Sequence, residues 1–269
     1  MMFKLKIKIL KYVNRILYLF NLNLDLSIKK EKLKKILFKL KPFYLGYDLI
    51  RIGSNNDGGY LLPDILDQIK VCFSPGTGNN INFEKDLIKR GIKTYLADGT
   101  INESRMQLKD FNFIKKNISS FESCKTITLE NWVNSQNISS NDMLLQMDIE
   151  SSEYEVLHST PEETLKKFKV IIIEFHYIEK ISNIYFYQNF NNVLDKLLLN
   201  FEICHIHPNN CQGTYSLHGI ELPTAIEVTF LRKDLCKNKV PVTNLPHELD
   251  QKNITILDDV FLPKEIINN

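Results

Sequence analysis

The chain has 269 residues, of which 43% are hydrophobic and 25% charged, enough for one sizeable core and an appendage. Its five cysteines, Cys72, Cys124, Cys204, Cys211 and Cys236, are odd in number and form no CxxC pair, which excludes a disulfide framework and a zinc ribbon and predicts a reducing, cytoplasmic location. The net charge of +2 is unevenly divided, because residues 1–42 carry 12 Lys/Arg against 2 Asp/Glu and the remainder is acidic; with no basic folded face and no recognisable module, nucleic acid is excluded as a partner.

In chain order, residues 5–26 (LKIKILKYVNRILYLFNLNLDL) are apolar, yet Lys6, Lys8, Lys11 and Arg15, with Lys4 before them, interrupt the run too often for a membrane span of about 20 apolar residues. No uncharged apolar stretch leads to a small-residue cleavage site, so no signal peptide is expected. The segment reads as a basic helical extension, residues 1–42, packed on its own domain or on a second subunit. The alternative is an amphipathic helix on an anionic membrane, with Leu10, Ile16, Leu17 and Phe20 on the apolar side.

Residues 43–269 are expected to form a single α/β domain. YDLIRIGSNNDGGYLLPD (47–64) predicts two short strands around a turn, with Asn56, Asp57, Gly58 and Gly59 reversing the chain. Strand candidates then follow at 68–74, 92–98, 123–129, 143–149, 169–176, 201–207 and 225–232. Amphipathic helices are expected at 83–91, 152–160 and 184–200. VIIIEF and MLLQM are continuous apolar runs, as a parallel sheet covered by helices on both faces requires. The last two strands, separated by the Pro/Asn/Gly-rich stretch 208–223, are expected to form an antiparallel edge.

Ligands of such sheets bind beyond the carboxyl ends of the strands. The first end, VCFSPGTGNNINFEKDL, places Gly76 and Gly78 between a strand and a helix, and the next, TYLADGT, places Asp98 about 20 residues on, where a carboxylate reaches a ribose diol. Ile81 occupies the place of a third glycine, which disfavours a dinucleotide and favours a mononucleotide-like ligand. Later ends bring Glu174 and His176 to one face and His205 and His207 to another, with Asn209 and Asn210 in a following loop. Histidine suits proton transfer near neutral pH; His176 is the preferred base and His207 the second.

The segment LLQMDIESSEYEVLHS, with Asp148, Glu150 and Glu153, resembles the aspartate-isoleucine-glutamate-glycine-x-glutamate stretch of FkbM-type methyltransferases. The glycine loop, Asp98 and TITLENWV precede it in that family's order, and the resemblance covers roughly residues 45–232. It departs at Ser151, where the family has glycine, and at Ser74–Pro75. The resemblance implies a Rossmann-like fold and S-adenosylmethionine as cofactor, with S-adenosylhomocysteine as product. It places Gly76 and Gly78 beside the methionine portion, Asp98 at the ribose, and Asp148, with Ile149, near the sulfonium or the acceptor. Gly58 and Gly59 of the DGGY turn either cover the cofactor or form an ordinary hairpin turn.

The reaction expected is O-methylation of a sugar hydroxyl, on a nucleotide-linked or surface-polysaccharide sugar, with Asp148, His176 and His207 catalytic and Glu174, Asn209 and Asn210 holding substrate. Asp148, Glu174, His176 and Glu227 offer Mg²⁺ or Mn²⁺ a second reading, but their spacing is no recognised metal signature, so no metal is expected. The competing functions are a nucleotide-sugar dehydrogenase or epimerase and a non-catalytic sugar-binding or assembly protein that keeps the fold.

Overall fold

The computed structural model describes residues 2–17, 27–78, 80–101 and 111–267. Its elements in chain order are α1 (Met2–Leu17), α2 (Lys30–Lys39), β1 (Phe43–Tyr44), β2 (Leu49–Gly53), β3 (Gly59–Pro63), β4 (Val71–Pro75), α3 (Asn82–Lys89), β5 (Lys93–Ala97), β6 (Phe111–Ile114), β7 (Asn117–Ile118) and β8 (Thr126–Ile127). They continue with α4 (Leu129–Ser135), β9 (Met143–Met147), α5 (Glu153–Ser159), α6 (Glu162–Leu165), β10 (Phe168–Phe175), α7 (Ile184–Asn200), β11 (Phe201–Leu217), β12 (Ile220–Arg232), β13 (Val240–Pro241) and α8 (Lys264–Ile267).

Seven strands form one sheet in the order β11-β12-β10-β9-β4-β5-β6. β10, β9, β4, β5 and β6 are mutually parallel, and β12 is antiparallel to both β10 and β11. The apolar runs become its interior: Met143, Leu144, Leu145, Val170, Ile171, Ile172 and Ile173 are all buried, with alternate side chains feeding two cores. One core lies under α2, α4, α5 and α7. The other lies under α3 and the β2–β3 hairpin, which Thr229 Oγ1 fastens to the sheet by donating to the Leu61 carbonyl at 2.7 Å. Because the chain leaves β4 for β5 and β6 on one side and returns to β9 on the other, the strand order reverses between β4 and β9, opening a crevice there.

Two expectations are corrected. The stretch 208–223 is not a connecting loop but continues both strands of a long hairpin, with a register shift between Asn209 and Thr214. Pro208 is tolerated because β11 is an edge strand, and the reversal occurs at His218 and Gly219, whose φ values of 55° and 75° suit a tight two-residue turn. The strand expected at 123–129 shrinks to β8, because the Thr128 side chain accepts from Asn131 N and starts α4 instead.

At the N-terminus, Leu33, Ile36 and Leu37 of α2 enter the main core. α1 is amphipathic, but the side expected to be apolar is split: Leu10 and Leu17 are half-buried while Ile16 is exposed with Leu5, Ile9 and Tyr12. Phe20 lies outside the described residues. No described helix is long and apolar enough to cross a membrane. The entry into α2 is sewn to the carboxyl end of the sheet, since Ile28 N donates to Ser182 O at 2.9 Å and the Ile28 carbonyl lies 2.7 Å from His218 Nε2 at the β11–β12 tip.

Candidate active site

β4 runs straight into Gly76-Thr77-Gly78. Gly76 has a φ of +81°, and a Cβ on it would stand 1.6 Å from the Asp148 carbonyl oxygen, so only glycine lets this loop lie against the exit of β9. Asp148 N donates to Pro75 O at 3.2 Å across the same junction. Gly78 N donates to Asp98 Oδ2 at 3.1 Å, while Asp98 Oδ1 accepts from Thr100 N at 2.7 Å and from its hydroxyl at 2.6 Å. Asp98 therefore ties together the loops after β4 and β5, and a carboxylate with about four acceptor positions keeps capacity for a ligand.

These loops enclose a cleft of about 450 Å³. Gly58, Gly76, Gly78, Asp98, Asp148 and Ile149, expected together from the sequence, all line it. Gly59 stands behind this wall, where a Cβ would meet the Ser54 carbonyl at 1.9 Å. The DGGY turn belongs to the cleft because Asn80, in the loop after β4, donates to the Asp57 carbonyl and to Ser54 Oγ.

A polar chain that the sequence did not single out reaches the cleft wall, where Tyr60, Glu84 and Gln146 line it, from the fully buried Ser74 behind them. Ser74 Oγ is 2.5 Å from Glu84 Oε1 and 2.6 Å from Gln146 Oε1, and Gln146 Nε2 donates to Tyr60 Oη at 3.1 Å. One hydroxyl proton cannot serve both oxygens, so a protonated Glu84 completes the set. Burial accordingly lifts the Glu84 carboxyl from 4.5 to about 7. The available signal was a serine and a glutamine inside otherwise apolar strands.

On the other side of Asp148 the site changes character. Glu153, fully buried at the start of α5, accepts from Ile149 N at 3.0 Å and from His176 Nδ1 at 3.1 Å. His176, only 4% exposed, turns its Nε2 toward Glu174 Oε1 at 3.5 Å and toward Asp148 Oδ1 and Glu150 Oε2, each at 3.7 Å. Asn209 Nδ2 donates to Glu174 Oε1 at 2.7 Å. Burial raises Asp148 to about 7 against the pull of His176, with Glu150 and Glu153 adding to the rise. Glu174 is raised well above the usual carboxylate range by burial and by Asp148. Burial opposes the charge on His176, but Glu153, Asp148 and Glu150 outweigh it and raise its pKa. Ser151, which replaces the family's glycine, holds a φ of +88° beside Glu150 at +54°, a conformation costly for a residue with a Cβ.

The family model described as the methyltransferase FkbM domain matches residues 29–205, more than half of the chain. The chain belongs to the FkbM methyltransferase family. It has the family's Rossmann-like α/β fold and uses S-adenosylmethionine, which sets aside the dehydrogenase reading. Among curated protein sequences, no relative matches. Among solved structures, an O-methyltransferase from Bacillus cereus in complex with S-adenosylhomocysteine overlays with a TM-score of 0.38 at 11% identity, covering 82% of this chain and 90% of that chain. A fibrillarin–Nop5p complex gives 0.37 at 11% identity, covering 71% and 98%. Both overlays are loose, and the assignment stands on the sequence match.

In this FkbM protein the residues fit the cofactor: the cleft lies at the reversal of strand order, its floor has a buried Thr77 hydroxyl with no partner, and Asp98 closes one end. The remaining residues expected to hold substrate or act as base lie beyond the matched segment. Asn209 and Asn210 stand on β11 and not in a loop. Asn210 Nδ2 donates to the Ile254 and Asp258 carbonyls at 2.9 and 3.2 Å while its oxygen accepts from Ile254 N at 2.9 Å, so it clamps the C-terminal segment. His207 faces a separate group, 3.4 Å from Asp250, which also accepts from His205 Nε2 at 2.9 Å and from His247 N at 2.8 Å. Glu227, between the rows of Glu174 and His207, accepts from Asn253 Nδ2 at 2.6 Å. Asp250 and Asn253 escaped the sequence reading because nothing near them in the chain marks them.

Proposed function

We propose that this protein transfers the methyl group of S-adenosylmethionine to a hydroxyl of a sugar, on a nucleotide-linked or surface-polysaccharide saccharide. The observation that carries the reading is the group of half-buried Asp148 with buried Glu174, His176 and Asn209 beside the donor cleft, where hydrogen-bonding groups replace an apolar wall. When bound, the cofactor supplies a methyl carbon already activated by the sulfonium. Gly76 and Gly78 let the backbone approach its methionine portion, Asp98 accepts from the ribose, and Gly58 and Ile149 form the walls. Asp148 stands where donor and acceptor compartments meet. Glu174 and Asn209 orient the acceptor hydroxyl, whose proton leaves through the carboxylate–histidine group around His176. His207, committed to the Asp250 group, supports the outer wall. Holding the reactants in line contributes most of the acceleration such a displacement needs.

Incubation with labelled S-adenosylmethionine and a panel of nucleotide sugars tests the reading. One labelled sugar ether is expected; label transferred only to amines or to no hydroxyl-bearing acceptor would overturn the hydroxyl assignment. Calorimetric titration with S-adenosylhomocysteine separates a failure of fold or cofactor binding from a wrong acceptor panel; replacing His176 is expected to abolish turnover, whereas a fold-only binding protein would show no turnover and would keep its sugar binding.

The five free cysteines accord with the cytoplasm as the working compartment. The basic α1, with Leu5, Ile9, Tyr12 and Ile16 exposed along one stripe, is the proposed contact to an anionic surface. Removing residues 1–26 is expected to abolish sedimentation with anionic vesicles and to leave S-adenosylhomocysteine binding unchanged.

A further inference from the structure

We propose that Asp148, Glu174 and His176 form a site for a divalent cation of the Mg²⁺ or Mn²⁺ type, which presents two adjacent hydroxyls of the acceptor. One ligand atom from each residue lies within 4.8 Å of the others. The separations of His176 Nε2 from Glu174 Oε1, 3.5 Å, and from Asp148 Oδ1, 3.7 Å, exceed an ordinary hydrogen bond. They approach the roughly 3.0–3.6 Å that separates neighbouring donors placed ~2.1 Å from one ion.

A second observation is independent of this spacing. His176 is 4% exposed and its Nδ1 is held by the Glu153 carboxylate at 3.1 Å, so the opposite nitrogen is aimed at the carboxylates, with no hydrogen bond to it among the described residues. A histidine held by a carboxylate on one nitrogen and bare on the other is how proteins orient a metal-ligating imidazole. Asp148 Oδ1 is likewise buried without a partner. None of the ion pairs among the described residues brings a lysine or arginine to Asp148, Glu150, Glu174 or Glu153, so these four acids face one imidazole as their cationic partner. Two carboxylate oxygens and one imidazole suit Mg²⁺ or Mn²⁺, which keep further positions for water or hydroxyl oxygen.

The inference rests on the hydroxyl-methylation reading and narrows the acceptor to a vicinal diol. The coordinated hydroxyl gives its proton to Glu150, the exposed carboxylate at the mouth. The resulting alkoxide forms the O–CH₃ bond as the S–CH₃ bond breaks and its electron pair returns to sulfur, leaving an ether and a neutral thioether. His176 then serves as a ligand, and Glu153 acts as a positioning residue through it.

The test uses the full chain stripped of metal and saturated with S-adenosylhomocysteine, titrated with MnCl₂ and followed by the electron paramagnetic resonance of free Mn²⁺. One Mn²⁺ per chain is expected. Glu174→Gln, which keeps an oxygen for Asn209, should lose that binding, and Glu153→Gln should weaken it roughly tenfold. Both variants are expected to keep wild-type affinity for S-adenosylhomocysteine, which certifies their fold. Absence of Mn²⁺ binding at millimolar metal, or equal binding by wild type and Glu174→Gln, overturns the cation site while leaving the methyltransferase reading intact. Failure of S-adenosylhomocysteine to bind counts against that reading, whereas the Mn²⁺ signal is read separately.

Discussion

The two sides of Asp148 are built on opposite principles. On the donor side, shape is set by the backbone: Gly76 lies where no Cβ fits and Gly78 N meets Asp98 across two neighbouring strand exits. On the side proposed to meet the acceptor, buried ionisable groups form the wall, with Glu153, Glu174, His176 and Glu227 each under 7% exposed. Each of those groups must be held by a neighbour or keep its neutral form, because an unpaired buried ion is costly. A donor common to many methyltransferases can be recognised by loop geometry, whereas the proposed hydroxyl transfer would call on side chains whose charge the fold must support.

The sharpest way to break this division is Gly76→Ala. With a positive φ and a clash against the Asp148 carbonyl, it is expected to cost more than about 3 kcal/mol and to abolish S-adenosylhomocysteine binding, as urea unfolding and calorimetry would measure. Glu84→Gln comes next. Burial raises the folded pKa of Glu84 from 4.5 to about 7, so the native state holds its proton more tightly than the unfolded chain. Its contribution to stability is therefore greatest below pH 4.5 and declines as pH rises to 7. The wild type should lose about 3 kcal/mol relative to the variant over that window, read from unfolding free energies at successive pH values.

Asn253→Ala sharpens the contrast from the acceptor side. It strips Glu227 of its 2.6 Å donor and is expected to cost about 1–3 kcal/mol while leaving S-adenosylhomocysteine affinity unchanged; a large loss of cofactor binding would show that the two sides are not separable. The smallest effect is expected of Ser151→Gly, which relieves a φ of +88° and should stabilise by about 1 kcal/mol, visible as a rise of a few degrees in melting temperature.

The same division explains what the sequence could reveal. The donor side was legible because its parts follow one another within single strand-loop-helix units: Gly76, Gly78, Asp98, Asp148 and Ile149 were all named, and all line one cleft. Glu174 and His176 were also named, and they lie beside Asp148. The acceptor wall was not legible, since Asn210 reaches 44 residues forward to Ile254 and Asn253 reaches 26 back to Glu227, with no periodicity to announce either contact. The extended hairpin was hidden for a related reason. Pro208, Asn209, Asn210 and Gly213 read locally as loop residues, yet pairing of β11 with β12 on either side of a bulge overrides that composition.

The stitching of Ile28 to Ser182 and to the β11–β12 tip fixes which way the molecule faces. The chain enters α2 at the same pole of the sheet as the cleft and not at its back. A fusion or label placed just ahead of Ser27 therefore starts from the end of the sheet at which the cleft opens.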